Sequence, residues 1–134
     1  MKYKTDQERF WAAEFGSNYI DRNQEYTSMI HFLGKIISRT SSIKSVIEFG
    51  CNIGLNLKAL NILLPKCELT GLEINTTACD RLREWKKCNV INESIFNYKG
   101  GKKYDLTMVQ GVLIHINPSM LQNVYEKLYD GSNR

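Results

Sequence analysis

The 134-residue chain predicts an α/β protein with a doubly wound parallel sheet, on three observations. Short apolar runs that read as strands alternate with stretches of helical periodicity. The connections between those runs are of crossover length, which parallel strands require and which are right-handed as a rule. The first strand ends in a glycine-punctuated turn that opens into a helix. This length suits one domain, burying roughly two-thirds of the surface its unfolded form exposes. We read residues 1–134 as that single domain, with N-terminal helices over 1–42 and the βα core over 43–134.

Thr5 with Glu8 three residues later forms a capping-box pattern that opens a helix through "DQERFWAAEF", ended by Gly16. Phe10, Trp11 and Phe15 give it an apolar face. A second helix carries Tyr26, Met29, Ile30, Leu33, Ile36 and Ile37 at helical spacing until "SRTSS" breaks the pattern. His31 within it reads as an ordinary boundary histidine. "KSVIEFG" is the first strand, and "IGLNLKALNILL" a helix with Ile53, Leu57, Leu60 and Leu64 on one face, stopped by Pro65. "CELTGLEI" is the second strand and "TTACDRLREWKK" the next helix, capped by Thr76 or Thr77. "NVINESI" gives a third strand, "KGGKK" a turn and "YDLTMVQGVLI" a fourth strand. Asn117 and Pro118 then start a last helix carrying Leu121, Val124, Tyr125 and Leu128 inward.

Composition removes several function classes. Hydrophobic residues at 43% and charged residues at 24% are ordinary for a globular protein. The net charge of +4 is scattered apart from Lys86-Lys87 and Lys102-Lys103, which argues against a nucleic-acid partner. Cysteines 51, 67, 79 and 88 show no C-x-x-C spacing, and neither histidine stands where common zinc frameworks place one, so no metal is expected. The N-terminus "MKYKTDQERF" is charged where a signal peptide would need an apolar run, and no segment approaches the roughly 20 apolar residues of a membrane span. Together these features predict a cytoplasmic protein with reduced thiols.

In a doubly wound sheet, ligands sit beyond the carboxyl ends of the strands, so the loop after the first strand is the first candidate site. A dinucleotide fingerprint begun at Gly50 needs glycines at 52 and 55, where this chain has Asn52 and Leu55. The spacing acid-x-Gly-x-Gly-x-Gly of S-adenosylmethionine-dependent methyltransferases fits better: Glu48, Gly50 and Gly54 match, with Asn52 at the middle glycine. Asn is among the residues that best tolerate positive φ, so the loop keeps its shape. Glu73 ends the second strand 19 residues after Gly54, where a carboxylate can accept from both ribose hydroxyls. Ile74 would then lie against adenine, with Ser94 and the amide of Ile95 at the adenine edge.

From Val46 through Ile116 the chain resembles class I S-adenosylmethionine-dependent methyltransferases, in "VIEFGCNIGLN", "LTGLEIN", "INESIFN" and "YDLTMVQGVLIHI". "FWAAEFGSNYIDRN", with "QGVLIHINP" and "YEKLYDGSNR", is similar to the methylases associated with pseudaminic acid biosynthesis, a sugar pathway of bacterial surface glycans. The resemblance implies a Rossmann-like sheet, S-adenosylmethionine as cofactor and a small acceptor such as a sugar of that pathway. It implies that Glu48, Gly50, Cys51 and Gly54 form the cofactor loop through backbone groups, and that Glu73 takes the ribose. Ile74, Ser94 and Ile95 would take the adenine, and Gln110 with Gly111 the methionine end. Tyr19, Arg22 and Asn23 would close over the cofactor carboxylate or the acceptor. The family's sheet has seven strands in the order 3-2-1-4-5-7-6, so the expectation here is a C-terminally truncated domain of order 3-2-1-4. The far flank of its fourth strand would be covered by another chain, by exchange or as a homo-oligomer.

His115, just beyond the fourth strand, is the titratable candidate for a general base toward a hydroxyl or amine acceptor. Cys51 as a nucleophile has a helix N-terminus nearby but no paired histidine. A chain that binds S-adenosylmethionine without catalysis is the alternative from a different class.

Overall fold

The computed structural model describes residues 1–133. Four parallel strands, β1 Ser45–Phe49, β2 Glu68–Glu73, β3 Asn89–Asn92 and β4 Leu106–Val109, lie in the order β3-β2-β1-β4. The helices are α1 Asp6–Ala12, α2 Glu14–Arg22, α3 Thr27–Ile37, α4 Leu55–Leu63, α5 Thr76–Glu84 and α6 Leu121–Gly131. Strand registers pair Phe49 with Leu72 and with Val109, and Glu73 with Asn92. All four strands therefore deliver their carboxyl ends, and the loops that follow, to the same end of the sheet.

The apolar runs form strands because both faces of the sheet are covered, as parallel sheets require. Val46 and Leu69 pack with Leu33 of α3, Leu57 and Leu60 of α4 and Leu82 of α5 on one face. Ile47, Phe49 and Leu72 meet Tyr104, Tyr98 and Leu128 of α6 on the other. Among the described residues no helix is long and apolar enough to cross a membrane.

Several boundaries differ from the sequence expectation. The capping box at Thr5 and Glu8 opens α1 as expected, but Gly16 does not end the helix. The break falls at Ala13, whose backbone is extended, and Gly16 lies inside α2. A Cβ at position 16 would stand 1.9 Å from the Trp11 carbonyl oxygen and 2.9 Å from Asn75 Nδ2, so this glycine serves a close approach. Helix α5 is capped by Asn75, whose Oδ1 accepts from the Ala78 amide at 3.0 Å; neither Thr76 nor Thr77 takes that place.

The third strand stops at Asn92, because residues 94–98 coil into a turn closed by the Asn97 and Tyr98 amides on the Ser94 carbonyl. The fourth stops at Val109, and His115 falls in a 3₁₀ turn, Leu113–His115. Asn117 caps a second 3₁₀ turn, Pro118–Met120, that leads into α6. Tyr104, just before β4, has a partner on its far side: its amide donates to the Gly131 carbonyl at 2.8 Å and its carbonyl accepts from the Asn133 amide at 2.9 Å.

Candidate functional site

The loop between β1 and α4 takes its shape from three left-handed residues at alternate positions: Gly50 at φ +73°, Asn52 at +49° and Gly54 at +74°. Asn52 thus adopts the conformation expected of the missing glycine. A Cβ on Gly50 would meet Val112 at 2.5 Å, and one on Gly54 would meet Leu82 at 2.5 Å, so these two positions are closed to larger residues twice over. The Gly50 and Cys51 amides both donate to the Leu72 carbonyl, at 2.7 and 3.1 Å, which ties the loop to the end of β2.

Beyond the strand ends lies a cavity of about 460 Å³. Two carboxylates stand in its floor. Glu73 is 8% exposed; its Oε1 accepts from the Asn75 amide at 2.7 Å and its Oε2 from the Asn52 amide at 2.8 Å. Burial raises its carboxyl above the ordinary range, and these amides pull in the opposite direction. Glu48 is 1% exposed, and Asn56 Nδ2 donates to its Oε1 at 2.5 Å. Its Oε2 has no partner, nor do the buried Oδ1 atoms of Asn52 and Asn56. Burial pushes the Glu48 carboxyl up to about 8, the Asn56 bond opposing and the Glu73 charge adding to the rise.

The N-terminal helices cover the opposite side. Asn75 Nδ2 donates to the carbonyls of Trp11 and Ala13 at 3.0 and 3.3 Å, at the break between α1 and α2. Arg81 of α5 pairs with Asp21 of α2 at 3.0 Å. At the β3 end, the Ser94 hydroxyl donates to the buried Glu8 carboxylate of α1 and accepts from the Phe96 amide at 3.1 Å. Trp11 meets Tyr19 edge-on at 5.4 Å and lies 4.6 Å from the His115 ring, so it spans from the N-terminal cover to the turn after β4.

Of the residues the sequence nominated, Glu48, Gly50, Cys51, Glu73, Ile74, Ser94, Ile95, Gln110, Gly111, His115, Tyr19, Arg22 and Asn23 line the cavity. Gly54 does not; it shapes the loop from beneath, against Leu82. The Ser94 hydroxyl is engaged with Glu8 and Phe96, which leaves the neighbouring Ile95 as the free edge of that turn. Arg22 lies over the Phe15 ring, 5.7 Å from its centroid. The Cys51 thiol packs against Gly71, and burial, with Glu48 and Glu73 adding, pushes it well above the usual thiol range, the reverse of what a nucleophile needs.

Sequence reasoning missed Trp11, Glu8, Asn56 and Asn75, all of which line the cavity. Asn75 had a signal, two residues beyond Glu73 and next to the nominated caps. Asn56 had a weaker one, four residues after Asn52. Trp11 and Glu8 reach the site only through the docking of α1.

A scan against protein-family models finds no match, and neither does a comparison with curated proteins. Solved structures do match. The plantazolicin methyltransferase BpumL, in complex with a pentazolic desmethyl-plantazolicin analogue and SAH, superposes with a TM-score of 0.71 at 22% identity, over 88% of this chain and 48% of its own. The sugar N-methyltransferase KedS8 from Streptoalloteichus sp ATCC 53650 gives 0.72 at 13% identity, over 98% and 53%. The fold is the Rossmann-like methyltransferase fold. SAM-bound CalS10, an amino pentose methyltransferase from Micromonospora echinaspora involved in calicheamicin biosynthesis, gives 0.71 at 11% identity, over 88% and 51%. The chain thus spans about half the length of these methyltransferases.

Proposed function

We propose that the cavity binds S-adenosylmethionine and that the protein transfers its methyl group to a small acceptor, a sugar hydroxyl or amine. Glu73 carries this reading. Each of its carboxylate oxygens takes one backbone amide and retains acceptor capacity in a residue that lines the cavity, which suits the paired hydroxyls of a ribose. The residues around it fit the rest of the cofactor. Ile74 and Ile95 offer apolar contact to an adenine, and the free oxygens of Glu48, Asn52 and Asn56 call for hydrogen-bond donors.

When bound, the sulfonium supplies an activated methyl group for in-line displacement. The chain's own work is to orient and to exclude water: Trp11 and Tyr19 cover the cavity, and the loop fixes the strand-end side. His115, beside Trp11 at the cavity, would take the acceptor's proton. A sugar acceptor is supported by the resemblance of "FWAAEFGSNYIDRN" to pseudaminic acid-associated methylases. It is further supported by the fold shared with a sugar N-methyltransferase and an amino pentose methyltransferase. Binding of S-adenosylmethionine without turnover is the second reading.

Calorimetry with S-adenosylmethionine, S-adenosylhomocysteine and NAD tests the cofactor: binding of the first two without the third is expected, and preference for NAD sinks the reading. Turnover with amino- and hydroxy-sugars then separates enzyme from binder. Replacing His115 with Gln should lower kcat by roughly a hundredfold or more while sparing cofactor affinity; unchanged turnover removes the histidine from the mechanism.

A further inference from the structure

The turn that leads into β4, residues 99–103, reads Lys-Gly-Gly-Lys-Lys. It stands at the opposite end of that strand from the large cavity, which lies beyond the strands' carboxyl ends. Gly100 and Gly101 hold φ of +72° and +121°, and a Cβ at either would meet nothing within 4 Å. These glycines serve the path of the chain and not a close approach, and the space beside them is open. Among the described residues, no amide of 99–103 donates to a protein acceptor. Successive free N–H groups in a turn are one way in which proteins build an anion-binding concavity.

Side chains from distant segments converge on the same place. Lys99, Gly100, Gly101 and Lys103, with Lys127 and Asp130 of α6, line a second cavity of about 260 Å³. Lys102 is already engaged, paired with Glu68 and lying over the Tyr104 ring. Lys99, Lys103 and Lys127 have no carboxylate partner among the described residues. The Lys127 ammonium donates to the Tyr98 carbonyl, and Lys4 donates to the Phe96 carbonyl at 3.1 Å. Burial, with the Lys4 charge adding, lowers the Lys127 ammonium below the ordinary lysine range. Backbone carbonyls thus hold two cations near each other, a repulsion that a bound anion relieves. Asp130 is the one carboxylate in the lining, so cations remain in excess.

The geometry points to a phosphate site: a soluble phosphate or diphosphate group held by the free amides of the 99–103 turn and the ammonium groups of Lys99, Lys103 and Lys127. The cavity is smaller than the roughly 300–1,000 Å³ that enclose whole small molecules. It takes the phosphate moiety and leaves the remainder of a larger ligand in solvent. This site is independent of the S-adenosylmethionine reading, since the two cavities share no lining residue.

Two-dimensional NMR on the whole chain, titrated with pyrophosphate and with inorganic phosphate against sodium chloride of matched ionic strength, reads the site directly. The amides of 99–103 should shift and saturate, pyrophosphate binding about fivefold or more tightly than phosphate because it carries more charge, and chloride should leave them in place. A Lys99→Gln/Lys103→Gln double variant should weaken pyrophosphate at least about fivefold. A Lys86→Gln/Lys87→Gln variant, which removes the same charge ahead of β3 at the other edge of the sheet, should leave affinity within about twofold. Shifts that chloride reproduces, or equal weakening by the two variants, would show only the general attraction of anions to a basic protein and overturn the inference. Competition by S-adenosylhomocysteine would do the same, by placing pyrophosphate in the large cavity. Phosphatidylglycerol vesicles distinguish a soluble ligand from a lipid headgroup. Sedimentation with them that requires Lys99 and Lys103, with no shift from pyrophosphate, would assign the lysines to a membrane surface and sink the soluble site.

Discussion

Glu48 and Glu73 are the same residue type, near the ends of adjacent parallel strands, buried in the floor of one cavity, and the chain treats them in opposite ways. Glu73 receives a backbone amide on each oxygen, from Asn52 and Asn75. Glu48 receives a single side-chain amide on one oxygen and nothing on the other. The first is a carboxylate set in place by the fold before any ligand arrives. The second carries an unmet acceptor, a state that costs about 1–3 kcal/mol for a neutral group and more for a charge, and protonation relieves part of that cost. Two residues that look alike in the sequence thus differ in what the fold supplies to them: both oxygens of Glu73 are met by backbone amides, whereas one oxygen of Glu48 has no partner.

The sharpest way to break this contrast is to remove Glu73. A Glu73→Ala change deletes the proposed ribose acceptor and leaves the Asn52 and Asn75 amides without their partner. Affinity for S-adenosylhomocysteine should fall by more than about a hundredfold. Glu73→Gln should fare little better, because its NH₂ group would be directed at one of those amides. A calorimetric titration that shows either variant binding within a few-fold of the unaltered chain would remove Glu73 from the cofactor site.

The same Glu→Gln change at position 48 should act in the opposite sense on the empty protein. The folded-state carboxyl of Glu48 lies near 8 and the unfolded one near the ordinary 4.5. The folded chain therefore binds the extra proton between those values. Stability is unaffected by this group below about pH 4.5, falls as pH rises toward 8, and is constant in this respect above it. At full linkage the loss is about 1.4 kcal/mol per pH unit. A Gln at 48 mimics the protonated form and keeps the Asn56 bond. Thermal unfolding should show a Tm several degrees above that of the unaltered chain at pH 8 and little difference at pH 4.5. A difference that does not depend on pH would mean that Glu48 is already ionised in the empty fold.

The contrast also separates what was legible in the sequence from what was not. Glu73 could be read from spacing alone, because strand, loop and strand fix its distance from Gly54 along the chain. The left-handed Asn52 could be read from its intrinsic tolerance of positive φ. What could not be read depends on docking between distant segments. Gly16 looked like a helix end, yet its glycine character answers to the Trp11 carbonyl and Asn75. Ser94 looked like an adenine contact, yet Glu8, 86 residues earlier, takes its hydroxyl. Local signals placed the strands and the loop; the cover had no local signal, because α1 and α2 owe their position to contacts made across the fold, Ile20 against Ile53 and Ala78 as well as the polar ones.

That cover gives the next prediction. Asn75→Asp retains an oxygen to cap α5 at Ala78 but replaces the donor to the Trp11 and Ala13 carbonyls with a carboxylate. Loosening of residues 6–22 should follow, seen as faster amide exchange there and, with Trp85 replaced by Phe, as a red-shifted Trp11 emission. Cofactor affinity should weaken by roughly tenfold, since lost hydrogen bonds of about 0.5–1.5 kcal/mol each are partly replaced by water. Exchange confined to α5 would show that Asn75 acts only as a cap.

The smallest effect is expected at Asn52, where conformation and side chain can be told apart. Its φ of +49° lies in the region that glycine occupies without strain, so Asn52→Gly leaves the loop path and the Asn52 amide's bond to Glu73 in place. Ribose recognition should be unchanged, and methylthioadenosine should bind within about twofold of the unaltered chain. S-adenosylhomocysteine, which has the amino-acid end that methylthioadenosine lacks, should likewise bind within about twofold, because the loop path is kept. Equal loss for both ligands would mean that the substitution has moved the loop. A loss confined to S-adenosylhomocysteine would show that the Asn52 side chain, whose buried Oδ1 has no partner, meets the amino-acid end of the ligand.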